Sequence, residues 1–184
     1  QDGVLLTADR KNIIRCPPAK TGDYAVPAGV TGIRESAFNN CRLLTRITLP
    51  ASLERIGSDE FGWFDHNDGS VFTGCSELTA IEVDPANGWF CSVDGVLLEK
   101  RYTWYGTYRK LLYCPSNKSG AYTIPADVQE IATDAFANCS RLTAINVAAS
   151  DGPYSSVDGV LYDRSRTTLL QCPGGRTGHY TVPA

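Results

Sequence analysis

The chain repeats one arrangement of apolar and polar positions three times. The pattern Leu-x-x-Ile-x-(Leu or Val) occurs at Leu44–Leu49, Leu78–Val83 and Leu142–Val147. Because side chains alternate between the two faces of a β-strand, this spacing predicts short strands with their apolar residues turned inward. The residues between them are predicted to point outward, and these are Arg46, Thr48, Ala80, Glu82, Ala144 and Asn146.

A short aromatic segment precedes each predicted strand. Phe38, Phe72 and Phe136 each stand three residues before a cysteine, which indicates a single helical or 3-10 turn with the phenylalanine inside. Pro27 and Pro50 are 23 residues apart, within the roughly 20 to 29 residues of a leucine-rich repeat. Units of this kind bury their apolar faces against their neighbours. The chain is therefore predicted to be a mainly β solenoid, a right-handed leucine-rich-repeat coil with short strands, single turns and inserted β-hairpins.

A second repeat interrupts the first. It reads Asp-Gly-Val-Leu, then Cys-Pro, then Tyr-x-x-Pro, and its copies begin at Asp2, Asp94 and Asp158. Asp-Gly between β-branched residues is typical of a two-residue hairpin turn that needs positive φ angles. A further turn is predicted at Asp163–Arg166. We expect a single solenoid over residues 1–184, with hairpin units at 1–25, 88–122 and 151–180, leucine-rich units at 26–87 and 123–150, and another unit beginning at 180–184.

The alternation of these two repeats resembles the BspA-like leucine-rich-repeat family of bacterial surface proteins. In that family, coils of the form Ile-x-x-x-Ala-Phe-x-x-Cys-x-x-Leu-x-x-Ile-x-Leu-Pro are interspersed with Val-Asp-Gly-Val-Leu-Tyr hairpins, and Val157–Tyr162 carries the second motif letter for letter. The resemblance covers essentially the whole chain. It implies a curved solenoid, an extracellular setting and binding to host proteins or neighbouring cells, with no catalytic residues and no transferable ligand residues.

Composition and charge narrow the classes of partner. The chain has 184 residues, of which 42% are hydrophobic, and its net charge is −3. Its lysines and arginines are scattered along the sequence. A surface that binds nucleic acid or an anionic membrane needs a basic stripe, and a membrane span needs a run of roughly 18 apolar residues. The sequence has neither, so we predict no nucleic-acid partner and no membrane insertion in this segment. The chain begins at Gln1 and contains no methionine. We therefore expect a secreted or cell-surface protein whose signal or anchor lies outside this sequence.

Six of the seven cysteines occupy two recurring repeat positions. One position holds Cys41, Cys75 and Cys139, and the other holds Cys16, Cys114 and Cys172. Positions that recur with the repeat are interpreted as small buried hydrophobic residues with unpaired thiols. The alternative is a disulfide between stacked neighbours. Cys91 corresponds to Ser155 in the third hairpin unit and is predicted near the surface.

Two copies of the repeats carry extra residues, and these candidate binding segments are predicted to form one surface together with the exposed strand face. Eleven residues are inserted at about Asp59–Gly69, and six lengthen the second hairpin around Lys100–Lys110. Exposed Trp and Tyr side chains offer large contact areas at little entropic cost. The candidate ligand-binding residues are Trp63, Phe64, His66, Tyr102, Trp104, Tyr105, Tyr108 and Arg109. Alternatively, Trp63, Phe64 and Trp104 pack back onto the solenoid as a cap, or they pack on each other.

Catalytic, metal and cofactor sites are not predicted. His179 aligns with Asp23 and Ala121 in the other hairpin units, which indicates a solvated loop position rather than part of a triad. Asp65–Gly69 is rich in oxygen ligands but departs from the spacing of a calcium loop. We expect a non-enzymatic adhesion module that contacts a host or neighbouring-cell surface protein. A carbohydrate-binding module that uses the exposed Trp and Tyr residues, or a structural spacer within a longer surface protein, are the alternatives.

Overall fold

The computed structural model describes residues 3–57, 69–104, 106–148 and 151–183. These residues form a β-solenoid of short strands, with a single 3-10 turn, Gly69–Phe72, as the helical element among them. The strands are β1 Leu5–Leu6, β2 Asn12–Arg15, β3 Gly22–Ala25, β4 Gly32–Ile33, β5 Leu44–Leu49, β6 Arg55–Ile56, β7 Ala80–Val83, β8 Phe90–Val93, β9 Val96–Thr103, β10 Gly106–Tyr113, β11 Gly120–Ile124, β12 Val128–Ile131, β13 Leu142–Val147, β14 Tyr154–Val157, β15 Val160–Asp163 and β16 Leu169–Gln171.

Successive coils stack through parallel strands. Strand β5 pairs in parallel with β3 on one side and β7 on the other, while β2, β4 and β6 form a second parallel ladder. Strand β13 pairs in parallel with β11 in the next leucine-rich unit. Within β5, Leu44, Ile47 and Leu49 are buried and Arg46 and Thr48 are exposed. The predicted solenoid with inward-facing apolar residues is confirmed.

Aromatic side chains stack along the interior of the solenoid. The ring centroids of Phe38 and Phe72 lie 5.6 Å apart, and Tyr24 and Tyr113 extend this stack at its two ends. The Tyr113 hydroxyl donates a hydrogen bond to the Phe72 carbonyl at 3.2 Å. Phe136 packs in the same way on Tyr122. The repeated phenylalanine therefore fills each coil as predicted, and hairpin-unit tyrosines continue the stack between coils.

The Asp-Gly turns have the predicted backbone conformation. The φ angles are 53° at Asp94 and 74° at Gly95, and 48° at Asp158 and 76° at Gly159. Positive φ at both central residues defines the turn that matches the twist of a β-hairpin. These turns join β8 to β9 and β14 to β15 in antiparallel pairs. A second antiparallel pair, β15 with β16, follows the turn predicted after Asp163.

Ala80 and Ala144, which are predicted to point outward, are covered by a turn rather than fully exposed. Ala80 is only 9% exposed, because the Asp94-Gly95 turn folds onto it. The Gly95 carbonyl accepts the Ile81 amide at 2.9 Å, and the Gly159 carbonyl accepts the Ile145 amide at 2.8 Å. Each Asp-Gly turn therefore covers the alanine on the outward face of the preceding strand, and Ala144 is half-buried in the same way.

All seven cysteines are free thiols, and five of the six at repeat positions are buried. The Cys41 and Cys139 thiols donate hydrogen bonds to the carbonyls of Cys16 and Cys114, at 3.6 and 3.3 Å. Cys172 is exposed, contrary to prediction. The amides of its counterparts Cys16 and Cys114 donate to Ala37 and Ala135 in the following coil. Cys91 is half-buried.

Candidate functional site

The lengthened hairpin is anchored in the solenoid and extends beyond it. Strands β9 and β10 have eight residues each, against four in the equivalent strand β15. Leu97 and Tyr113 belong to one buried cluster, and Leu98 and Leu111 belong to a second cluster on the other face. Because the base of the hairpin is buried on both faces, its sequence is a continuous run of apolar residues rather than an alternation of apolar and polar ones. This anchoring holds the outer half of the hairpin in a defined position.

Trp104 lies at the apex of this hairpin. Its side chain is 99% exposed. The Thr103 hydroxyl donates a hydrogen bond to the Gly106 carbonyl at 2.9 Å and closes the turn beneath it. The alternative prediction that Trp104 packs back onto the solenoid is therefore wrong, since the six added residues carry it past the last core side chain.

One face of the hairpin carries two further exposed aromatic side chains. Tyr102 is 63% exposed and Trp89 is 51% exposed. The Trp89 carbonyl accepts the Lys100 amide at 2.7 Å, and Lys100 pairs with Arg109 while Tyr102 pairs with Thr107. Cross-strand partners share a face, and so do residues two apart on a strand. We call the surface formed by Trp89, Lys100, Tyr102, Thr107 and Arg109 the Tyr102 face.

A groove of about 330 Å³ opens on the Tyr102 face. Arg109 lies across it and donates from Nε to Oδ2 of Asp127 at 2.7 Å, with a second bond from Nη2 to Oδ1. The backbone amide of Arg109 also donates to the Asp127 carbonyl at 2.9 Å. The side-chain bonds to Asp127 raise the pKa of Arg109 above its ordinary value and fix the carboxylate at the groove wall. Cys91 lines the same groove, with its sulfur 3.9 Å from Arg109 Nη1.

Lys100 contributes an uncompensated charge to the groove. Its ammonium donates to the Asn87 carbonyl at 2.6 Å. Within the described part of the chain, no carboxylate forms an ion pair with Lys100. Since Arg109 is neutralised by Asp127, the groove carries a net positive charge.

Tyr108 is attached to the opposite face of the hairpin. Its hydroxyl donates to Glu130 Oε1 at 2.6 Å, and this carboxylate raises the pKa of Tyr108. Tyr108 also borders the groove. Beyond it, on the same face as Glu130, Lys110 lines a separate groove of about 610 Å³. The structure thus places Tyr102 and Arg109 in one groove and directs the Tyr108 hydroxyl away from it, while Trp104 lies at the apex.

Four predicted site residues, Trp63, Phe64, His66 and Tyr105, lie outside the described residues. The prediction that the two insertions share a surface also depends on them. Trp89 was not among the predicted site residues. It aligns with Pro153 of the third hairpin unit, so a comparison of the copies that included single substitutions as well as insertions would have found it.

The outward face of the β3–β5–β7 sheet is a second accessible surface. It presents a polar cluster in which Arg46 lies 3.1 Å from Glu82 and 3.9 Å from Asp23. The Thr45 hydroxyl donates to Asp23 at 2.7 Å. Exposed ion pairs contribute little to stability, so these side chains can exchange partners at small cost.

The residues that the structure describes hold no group of three or more His, Cys, Asp or Glu side chains arranged around a common metal position. Across the same residues, no helix has the length and apolar character of a membrane span.

Residues 20–68 and 111–156 match the family described as "BspA type Leucine rich repeat region", in six copies. Together these two segments make up about half of the chain. No curated protein matches the chain.

The fold is similar to solved structures of bacterial proteins. A leucine-rich repeat protein from Eubacterium ventriosum is 25% identical, with a TM-score of 0.52 over 72% of this chain and 31% of its own. The pneumococcal vaccine antigen PcpA is 26% identical, with a TM-score of 0.50 over 68% of this chain and 33% of its own. A leucine-rich cell surface protein from Faecalibacterium prausnitzii is 25% identical, with a TM-score of 0.46 over 69% of this chain and 35% of its own. The chain spans about a third of the length of each of these proteins.

Proposed function

Because the chain belongs to the BspA-type leucine-rich-repeat family, we propose that it is a non-enzymatic, extracellular recognition module that binds a protein on the surface of a host or neighbouring cell. Leucine-rich-repeat modules generally act in protein–protein interaction. One of the similar structures is a vaccine antigen, which supports an extracellular location. The proposed contact surface is the apex of the lengthened hairpin, together with the outward face of the β3–β5–β7 sheet.

The full exposure of Trp104 is the observation that carries this proposal. A tryptophan held in water gains free energy when a partner buries it, and tryptophan is enriched among the residues that dominate binding. The hairpin base is buried on both faces, so little ordering of the backbone accompanies binding. An anchored strand pair with a solvated aromatic apex therefore has the properties of a preorganised binding element.

The test is the binding of the labelled protein to intact epithelial cells and to intact bacterial cells, with and without prior trypsin treatment of the cell surface. Trypsin treatment is expected to abolish binding. Trp104→Ala is expected to weaken binding by about 30-fold, the size of a hot-spot contribution of about 2 kcal/mol. Its thermal unfolding should be unchanged, because the side chain is almost fully solvated.

Leu5→Ala is the matched control, since Leu5 is also a large exposed hydrophobic residue but lies in strand β1, outside both the second hairpin and the β3–β5–β7 sheet. It should bind as the wild type does. Equal binding by the Trp104→Ala variant and the wild type would contradict the proposed role of the apex.

A further inference from the structure

The Tyr102 face combines features that differ from those of the apex. It holds exposed aromatic rings beside a small groove with a fixed carboxylate and a net positive charge. We infer that this groove binds a sugar unit that carries a carboxylate, as in uronic-acid or sialic-acid glycans. This site goes beyond the proposed protein contact, since it lies on the flank of the hairpin and does not require Trp104.

Aromatic side chains supply the apolar part of the site. Tyr102 lines the groove, and its hydroxyl donates to the Gly88 carbonyl at 3.0 Å, which fixes the side chain against the segment that precedes strand β8. Trp89 lies next along the same face. The face of an aromatic ring is electron-rich, and the C–H groups on one side of a pyranose carry partial positive charge. A sugar ring is therefore complementary to these exposed aromatic faces.

Asp127 supplies the acceptors that sugar hydroxyls require. Arg109 donates to both carboxylate oxygens of Asp127, and the Asp127 side chain remains half exposed. Each carboxylate oxygen has capacity for a second hydrogen bond. Because Arg109 fixes the carboxylate in advance, neighbouring hydroxyls of a sugar meet an acceptor that loses little freedom on binding.

Lys100 determines the charge of the ligand. One of its three ammonium donors is used by the Asn87 carbonyl, so donors remain for a ligand. Asp127 is already compensated by Arg109, which leaves Lys100 as the uncompensated charge of the groove. A ligand carboxylate would complete the pairing, whereas a neutral sugar would leave the ammonium unpaired.

The size of the groove favours a sugar over a protein segment. Its volume of about 330 Å³ is near the lower end of the range of small-ligand pockets. Such a volume accommodates one or two ring-sized units. A protein surface of ordinary affinity buries a much larger area than this groove offers.

The experiment measures the affinity of the full chain for acidic sugars by calorimetry at low salt. The first arm compares trigalacturonic acid with its methyl ester, and the second compares 3′-sialyllactose with lactose. In at least one arm the acidic sugar is expected to bind at least tenfold more tightly than its neutral counterpart. The two arms distinguish uronic-acid from sialic-acid glycans.

Lys100→Gln is expected to reduce the affinity for the acidic sugar to that for the neutral one. Tyr102→Ala should weaken binding of both by at least tenfold. Lys110→Gln removes the same charge from the opposite face of the same hairpin and should leave binding unchanged. Trp104→Ala should also retain sugar binding, so loss of the protein contact and loss of the sugar site are separable.

Three results would overturn this inference. They are the absence of binding in both arms, equal affinity for acidic and neutral sugars, and equal competition by an acetylated triglutamate peptide, which would show a site for acidic peptides. Thermal unfolding of each variant within 2 °C of the wild type, on the order of the shift that small stability changes produce, is the criterion of intact folding.

Discussion

At the scale of single residues, Gly95 and Gly159 meet two requirements, a positive φ angle and a close approach to an alanine on the neighbouring strand. Both have positive φ angles, which L-residues with a side chain adopt at a cost. Both also approach an alanine so closely that an added Cβ would lie 2.8 Å from the Ala80 Cβ, or 2.6 Å from the Ala144 Cβ. Strand β5 has the same apolar pattern but carries Arg46 at the position of these alanines. Strand β7, rather than a hairpin turn, lies beside Arg46. The small residue on the strand thus identifies the coils that a hairpin covers.

Gly95→Ala is expected to destabilise the protein more than Gly120→Ala does. Both glycines have φ near 80°, but Gly120 has open space where a Cβ would stand. Gly120→Ala should cost only the backbone strain of about 1–2 kcal/mol. Gly95→Ala should cost about 1–3 kcal/mol more, because the turn must move away from Ala80. Urea unfolding measures both values.

The double variant Gly95→Ala, Ala80→Gly provides the control. It should recover the contact part of the loss, since removing the Ala80 side chain makes room for the new Cβ. Equal losses in the two single variants would show that strain alone requires glycine at this turn.

Cysteine reactivity should follow burial. Burial raises the pKa of the Cys75 thiol to about 12, and the nearby Cys41 adds to this effect. The thiolate is the reactive form, so Cys75 should stay unmodified by a disulfide reagent until the protein unfolds. The exposed Cys172 should react first and the half-buried Cys91 more slowly. The order is read from mass spectra of peptides after timed labelling.

Cys172→Ser should remove the fastest labelling phase and leave the others in place. Rapid modification of Cys75 in native buffer would show that the coil interior is open to solvent, contrary to its fully buried position.

At the scale of elements, each hairpin unit is closed by a cation that stands four residues after its Cys-Pro cysteine. Lys118 lies over the Tyr122 ring and donates to the Asp94 carbonyl at 2.6 Å. Arg176 lies over Tyr180 and donates to the Asp158 carbonyl. Lys20 lies over Tyr24 in the first unit. In the second and third hairpin units, the cation therefore joins the tyrosine near the end of the unit to the Asp-Gly turn near its start.

Lys118→Met is expected to destabilise the protein by about 1–3 kcal/mol. Its ammonium is nearly buried and donates to a main-chain carbonyl, and hydrogen bonds from charged groups are worth about 1.5–3 kcal/mol. Lys11→Met at an exposed position is the control and should change stability by less than about 0.5 kcal/mol. Denaturant unfolding that gives equal values for the two variants would exclude a stabilising role for this contact.

At the scale of the whole molecule, the second hairpin joins two parts of the solenoid. One buried cluster runs from Val4 to Tyr113, and the other from Val96 to Leu161. Strand β10 pairs with β9 inside the hairpin and in parallel with β12 in the following leucine-rich unit. The hairpin is therefore part of the solenoid at its base and an appendage at its apex, so its outer half can change without loss of either cluster.

Much of this architecture could be predicted from the sequence, because a repeat places the same residue in the same environment. The inward residues of β5 and the Asp-Gly turns follow from spacing alone. The burial of Ala80 and the exposure of Cys172 could not be predicted in this way, since each depends on which unit follows in the chain. Trp89 and the ion pair between Arg109 and Asp127 likewise depend on strand pairing between units. Repeat alignment describes a unit, whereas the candidate site is formed between units.

The central claim is that recognition depends on the outer half of the second hairpin. The most direct test replaces residues 100–109 with residues 164–167 of the third hairpin unit, which removes the six added residues and retains the buried base. Binding of this variant to intact cells is compared with that of the wild type, alongside thermal unfolding. We predict unchanged cooperative unfolding and a loss of binding of at least about 30-fold. Wild-type binding by the shortened chain would contradict the claim and identify the segment as a structural spacer.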